Sequence, residues 1–174
     1  MKANIAGDGR FDVLNLDPRE PAARAYAVER HGAQAYGREP YVVHLAAVRT
    51  VLADFDIAGD VGVAAWLHDT IEDTGTTRGE IVKRFGEQVA ALVWAVSGLG
   101  ATRKQRNLDA YQKIRALPTA ATLKLADRIA NVEASRDRPD KLAMYRAEHE
   151  DFAKSLEGLG DERLWERLRK AVAL

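Results

Sequence analysis

Apolar residues recur at three- and four-residue intervals through most of this 174-residue chain, and that periodicity constrains its fold more than any other feature. Between Tyr41 and Phe55, His44, Ala47, Val48, Val51, Leu52 and Phe55 fall on one helical face. Val61, Ala64, Ala65 and His68 make the next stripe, and Thr77 with Glu80 opens a helix carrying Ile81, Val82 and Phe85. Asp17-Pro18-Arg19-Glu20 supplies an N-cap, a first-turn proline and a glutamate three residues on, which predicts a helix from Asp17 to Gln34. Further helices are predicted over 87–96, 103–117, 119–136, 140–157 and 161–172, separated by Gly98, Gly100, Pro118, Pro139, Gly158 and Gly160. Residues 69–76 read as a turn. No segment sustains two-residue alternation, so the expected class is all-α, a compact multi-helix bundle with little or no sheet.

Residues 1–15 lack any helical or strand period and are expected to form a loosely ordered arm, leaving 16–174 as a single domain. A hydrophobic fraction of 47% over this length supports one core and one active site. The 26 basic and 26 acidic residues cancel, so no global field draws a nucleic acid polymer or a membrane surface, and an anionic ligand must be gripped locally. Cysteine is absent, which removes thiolate catalysis, iron–sulfur clusters and all-thiolate zinc sites and leaves His, Asp and Glu as metal ligands. With no signal pattern and no apolar run of membrane-spanning length, the expected location is cytoplasmic.

The most informative stretch is His68-Asp69-Thr70-Ile71-Glu72-Asp73-Thr74, a polar block directly after the apolar run from Val61 to Leu67. Adjacent imidazole and carboxylate at the end of a buried helix offer a divalent cation nitrogen and oxygen together, a mixture suited to manganese, iron or zinc. Glu72 and Asp73 follow within a turn and could hold or deprotonate a water made more acidic by that cation. Two neighbours rarely hold a metal alone. His44 on its apolar stripe and Asp127, which shares a face with Leu123, Ala126, Ala130 and Asn131, are the distant candidates. Each has a bland alternative. An inward histidine is more often a satisfied core residue than a ligand, Asp127 beside Arg128 could be half of a structural ion pair, and Glu72-Asp73 could be a solvated turn. Their joint occurrence favours a metal centre.

In order and spacing these residues also resemble a known family, the HD superfamily of phosphohydrolases, and within it the Rel/SpoT-type hydrolases of guanosine tetraphosphate and the small alarmone hydrolases. The likeness runs from about Ala22 to Arg136, through His31-Gly32-Ala33-Gln34, Pro40-Tyr41-Val42-Val43-His44, the Leu67 to Thr74 block, the segment from Phe85 to Val93, and Lys124-Leu125-Ala126-Asp127-Arg128. The resemblance implies an HD-type bundle with the metal between its central helices. It implies that His44, His68, Asp69 and Asp127 ligate one divalent ion, usually Mn2+, with Glu72 and Asp73 as the catalytic acids. It further implies a nucleotide substrate, with Asn131 near the sugar, Arg106 near the phosphates, and Lys124, Tyr36 and Arg38 as substrate-side residues. Water would attack where the 3′ diphosphate joins the ribose, releasing pyrophosphate.

Three departures stand out. Tyr36 replaces an arginine that packs the base, with one residue fewer before Pro40; a tyrosine can stack on a purine and Arg38 can supply a cation, or Tyr36 can simply pack at a helix end. Leu45 follows His44 in place of proline, and Ala130 replaces a histidine before Asn131. The resulting expectation is a stand-alone hydrolase of (p)ppGpp- or ppApp-like alarmones, whose last helices complete the core or a homodimer contact. The alternatives are a phosphomonoesterase of the same fold, acting on deoxynucleotide 5′-monophosphates or the 2′-phosphate of NADPH, and a non-catalytic nucleotide-binding module.

Overall fold

The computed structural model describes residues 17–173, so the expected arm over 1–15 lies outside the described residues. Their secondary structure is helical apart from one small ribbon. Helix α1 (Glu20–His31) starts three residues later than predicted, because Asp17 uses its side chain on the amide of Arg19 at 2.9 Å in a turn before the helix. It also ends earlier, at Gly32, whose φ of 53° turns the chain out of the helix. Strands β1 (Ala35–Tyr36) and β2 (Glu39–Pro40) pair antiparallel around Gly37-Arg38, with Gly37 at φ 66°.

Helices α2 (Val42–Ala53) and α3 (Asp60–Leu67) follow the predicted stripes. The expected turn after α3 contains a single helical turn, α4 (Thr70–Asp73). Helix α5 (Arg78–Phe85) opens on the predicted capping box between Thr77 and Glu80, and α6 (Glu87–Val96) has the predicted bounds. Helices α7 (Arg103–Ala116) and α8 (Ala120–Glu133) come next, the first capped reciprocally by Thr102 and Gln105. The single helix predicted over 140–157 is two, α9 (Pro139–Ala147) and α10 (His149–Leu156). They break at Glu148, where Arg128 donates to the Tyr145 carbonyl, a group the next helical turn would otherwise use. Helix α11 (Glu162–Ala173) closes the bundle.

The core is one contiguous cluster of buried apolar side chains drawn from α1 to α3 and α5 to α11. Helices α3 and α8 lie at its centre. Every residue of α3 from Gly62 to Leu67 is buried, as are Leu123 and Leu125 to Ala130 in α8. Alanines at 64, 65, 126 and 130 keep these helices narrow enough for close approach. Helix α11 lays Leu164, Trp165, Leu168 and Ala171 into the core. A buried pair, Arg49 with Glu20 at 2.7 Å, ties α2 to α1, and Trp66 of α3 donates to the same carboxylate. No helix of the described residues is long and apolar enough to cross a membrane.

Candidate metal centre

Three helices converge on one point. Helix α2 contributes His44, the C-terminal end of α3 delivers His68 and Asp69, and α8 presents Asp127. His44, His68 and Asp127 are buried and form a group able to hold a metal ion. Asp69 joins them. Its Oδ2 lies 3.4 Å from His44 Nε2 and 3.0 Å from His68 Nε2, while Asp127 Oδ1 lies 3.3 Å and 3.6 Å from the same nitrogens. Ligands about 2.1 Å from a common ion stand roughly 3.0 to 3.5 Å apart in a four- to six-coordinate shell, which these spacings fit.

The tautomer fits as well. His68 Nδ1 is 2.9 Å from the Ala65 carbonyl, which can only accept, so Nδ1 carries the proton and the Nε2 lone pair faces the carboxylates. That Nε2 is buried without a hydrogen-bond partner. Burial alone pushes both imidazole pKa values down, yet Asp127 and Asp69 outweigh it and the net direction is upward for His44 and His68. Burial likewise opposes ionisation of Asp69 and Asp127, but the two imidazoles beside Asp69, and Lys124 with the same imidazoles beside Asp127, hold both well below the usual carboxylate range. The pocket is thus built to receive positive charge, and a divalent cation on neutral imidazoles and ionised carboxylates would give the orphaned His68 Nε2 a partner.

Each carboxylate is also held by side-chain donors. Tyr41 donates its hydroxyl to Asp69 Oδ2 at 2.6 Å. Lys124 donates to Asp127 Oδ2 at 2.9 Å, and Asn131 Nδ2 donates to Asp127 Oδ1 at 2.6 Å. Tyr36, on the ribbon, donates to Asn131 Oδ1 at 3.0 Å and stacks on the His44 ring at 4.8 Å between centroids. Burial pushes the Tyr36 phenol up to about 12, so it remains a donor at neutral pH.

The centre opens into a cavity of about 270 Å³. Helix α4 lines it with Glu72 and Asp73, and α7 and α8 with Arg103, Arg106, Asn107, Lys124, Arg128 and Asn131. Glu72 accepts the Gly98 amide at 2.8 Å through one oxygen and faces Arg106 Nε at 3.3 Å through the other. Burial is the largest influence on this carboxyl and raises its pKa. Asp73 accepts from Gln34 at 2.8 Å, and the Gln34 oxygen in turn lies 2.9 Å from His31 Nδ1.

Of the residues singled out in the sequence, His44, Asp69, Glu72, Asp73, Arg106, Lys124, Asp127 and Asn131 line the cavity. His68 lies just behind it, and Tyr36 reaches it through His44 and Asn131. Arg38 does not reach it: it sits exposed at the tip of the ribbon, outside the lining. The sequence reading missed Tyr41, Arg103, Asn107 and Tyr145. A signal for two of them existed, since Arg103, Arg106 and Asn107 recur at helical three-four spacing on one face. Arg128 pairs with Glu148 at 2.8 Å and not with Asp127, because consecutive helical residues diverge in direction; Arg103 holds the same carboxylate at 2.6 Å.

A helical bundle that turns two imidazoles and two carboxylates onto one buried point defines a protein built around a divalent metal site. The model of the HD domain family matches residues 20–153, and the chain belongs to that family. Its relatives include the guanosine-3′,5′-bis(diphosphate) 3′-pyrophosphohydrolase of Aquifex aeolicus, 41% identical over 122 residues, which are 66% of this chain. SpoT, the bifunctional (p)ppGpp synthase/hydrolase of Escherichia coli K12, is 35% identical over 130 residues, 68% of this chain. The match spans 18% of the length of each of these curated relatives. Among solved structures, a metazoan ortholog of SpoT described as hydrolysing ppGpp shares the fold, with a TM-score of 0.76 at 24% identity, covering 90% of this chain and 95% of the other.

Proposed function

We propose that this protein is a manganese-dependent 3′-pyrophosphohydrolase of guanosine or adenosine alarmones of the (p)ppGpp or ppApp kind. One observation carries the reading: three of the four proposed ligands, His44, Asp69 and Asp127, share a single cavity with Glu72, a carboxyl whose pKa burial has raised, and with a wall of cationic side chains. The relatives named as (p)ppGpp hydrolases support the choice of substrate.

In this reading His44, His68, Asp69 and Asp127 hold the ion. When bound, it would make a water more acidic and offset charge developing on the phosphate. Glu72 accepts the proton from the attacking water, since a raised pKa brings a carboxylate closer to a useful base near neutral pH. Asp73, fixed by Gln34, stands beside it to manage the second proton. The hydrolysis consumes one water, breaks the link between the ribose 3′ position and the diphosphate, leaves a protonated 3′ hydroxyl and releases pyrophosphate. Arg103 and Arg106 sit where the phosphates would meet positive charge, and Lys124 keeps one N–H on Asp127 with two more available to substrate.

The test is incubation of the pure protein and manganese with guanosine and adenosine tetraphosphates and with deoxynucleotide monophosphates and NADPH, scored for pyrophosphate against orthophosphate. Pyrophosphate from the tetraphosphates is expected. Orthophosphate alone would make it a phosphomonoesterase, and no product of either kind would favour a binding module.

A further inference from the structure

We propose that Tyr36 and Asn131 work as a positioning relay for the metal centre, holding the Asp127 carboxylate and the His44 ring in register. This rests on His44, His68, Asp69 and Asp127 being cation ligands.

Asn131 is the link between the tyrosine and the carboxylate. Its carboxamide has one oxygen and two N–H donors. The oxygen accepts the Tyr36 hydroxyl at 3.0 Å, while the nitrogen donates to Asp127 Oδ1 at 2.6 Å and to the Asp127 backbone carbonyl at 3.1 Å. Both hydrogens are engaged on Asp127. The phenol fixes the amide orientation too. Its single hydrogen must go to an oxygen acceptor, which puts the Asn131 nitrogen on the carboxylate side.

The ring of Tyr36 does a second job. It lies almost parallel to the His44 imidazole, at 18° and 4.8 Å, and so limits how that ring can turn. Tyr41, at the other end of the ribbon, meets His44 edge-on at 5.7 Å and donates directly to Asp69. His44 therefore touches both tyrosines, and each carboxylate ligand is tied to a tyrosine hydroxyl, one directly and one through Asn131. The β1–β2 ribbon is the element that delivers this pair, which gives the short hairpin a role in the metal site.

Outer-shell partners of this kind typically change metal affinity by about ten- to a hundredfold. Manganese titration of the full chain, with free ion followed by electron paramagnetic resonance, tests the relay in wild type, Tyr36→Phe, Tyr36→Leu, Asn131→Ala, the Tyr36→Phe/Asn131→Ala double variant and Arg38→Ala. Tyr36→Leu and Asn131→Ala should bind manganese about tenfold or more weakly, with Tyr36→Phe between them and wild type because it keeps the ring. The double variant should be no weaker than Asn131→Ala alone, since a relay broken at one link gains nothing from a second break. Arg38→Ala should match wild type. Thermal midpoints in chelator report folding without metal, and if Tyr36→Leu fails to fold, Tyr36→Phe decides. Wild-type affinity in both Tyr36 variants, or a raised KM for nucleotide at unchanged manganese affinity, overturns the relay and leaves the metal centre standing. Wild-type protein that takes up no manganese overturns both.

Discussion

Glu72 differs from the other carboxylates of the cavity in the direction of its environment. Asp69 and Asp127 are held ionised by their neighbours, whereas burial raises Glu72 and the Gly98 amide and Lys124 only partly offset it. A proton acceptor works in its ionised form, so activity should fall as pH drops through a value above the ordinary 4.5 of a glutamate. The pH profile of kcat checks this. Glu72→Gln should lower kcat about 10² to 10⁴-fold and leave manganese binding intact, while Asp127→Ala should remove the metal, as read by metal content after gel filtration. Equal metal loss in the two variants would contradict this division of roles. Single residues were legible where a polar side chain occupied an apolar stripe, as His44 and Asp127 do. Tyr41 gave no such signal, because a tyrosine at a helix start looks the same whether or not its hydroxyl meets a carboxylate.

At the level of elements, the approach of α7 to the end of α6 brings Arg103 and Arg106 to the cavity that holds Glu72 and Asp73. Gly98 makes it possible: a Cβ there would stand 2.4 Å from the Arg106 carbonyl oxygen. Gly98→Ala should therefore push α7 outward, cost about 1 to 3 kcal/mol by thermal or denaturant unfolding, and lower turnover by drawing the amide from Glu72. The α9–α10 junction carries a pH-dependent clamp. Burial alone raises the Glu148 pKa, but Arg103 and Arg128 outweigh it and hold it below the ordinary 4.5. A depressed folded-state pKa stabilises above the unfolded value and is lost as pH falls through the folded one. Glu148→Gln should accordingly destabilise at pH 7, and the gap to wild type in denaturant midpoint should close as pH drops below 4.5. A gap constant down to pH 3 would mean that packing, and not charge, carries the junction.

For the molecule as a whole, the proposed ligands come from α2, the α3–α4 junction and α8, so the ion can be held only when the core is assembled. Manganese should stabilise the fold by mass action, by about 2.7 kcal/mol at a hundred times its Kd, seen as a thermal midpoint that climbs with manganese and stays flat in Asp127→Ala. The helices, most of their bounds, the absence of thiol chemistry and the order of imidazole and carboxylate candidates all followed from the sequence, because periodicity, capping and side-chain chemistry act within a few residues. Tertiary packing decided what those signals could not reach. The seating of the ribbon against α2 and α8 set Tyr36 on His44 and on Asn131, ninety-five residues away, and left Arg38 in solvent, while α8 against the α9–α10 junction turned Arg128 to Glu148 where the helix predicted over 140–157 is split. Such distances and the burial that shifts Glu72 depend on how closely helices remote in the chain approach, and no local pattern encodes that.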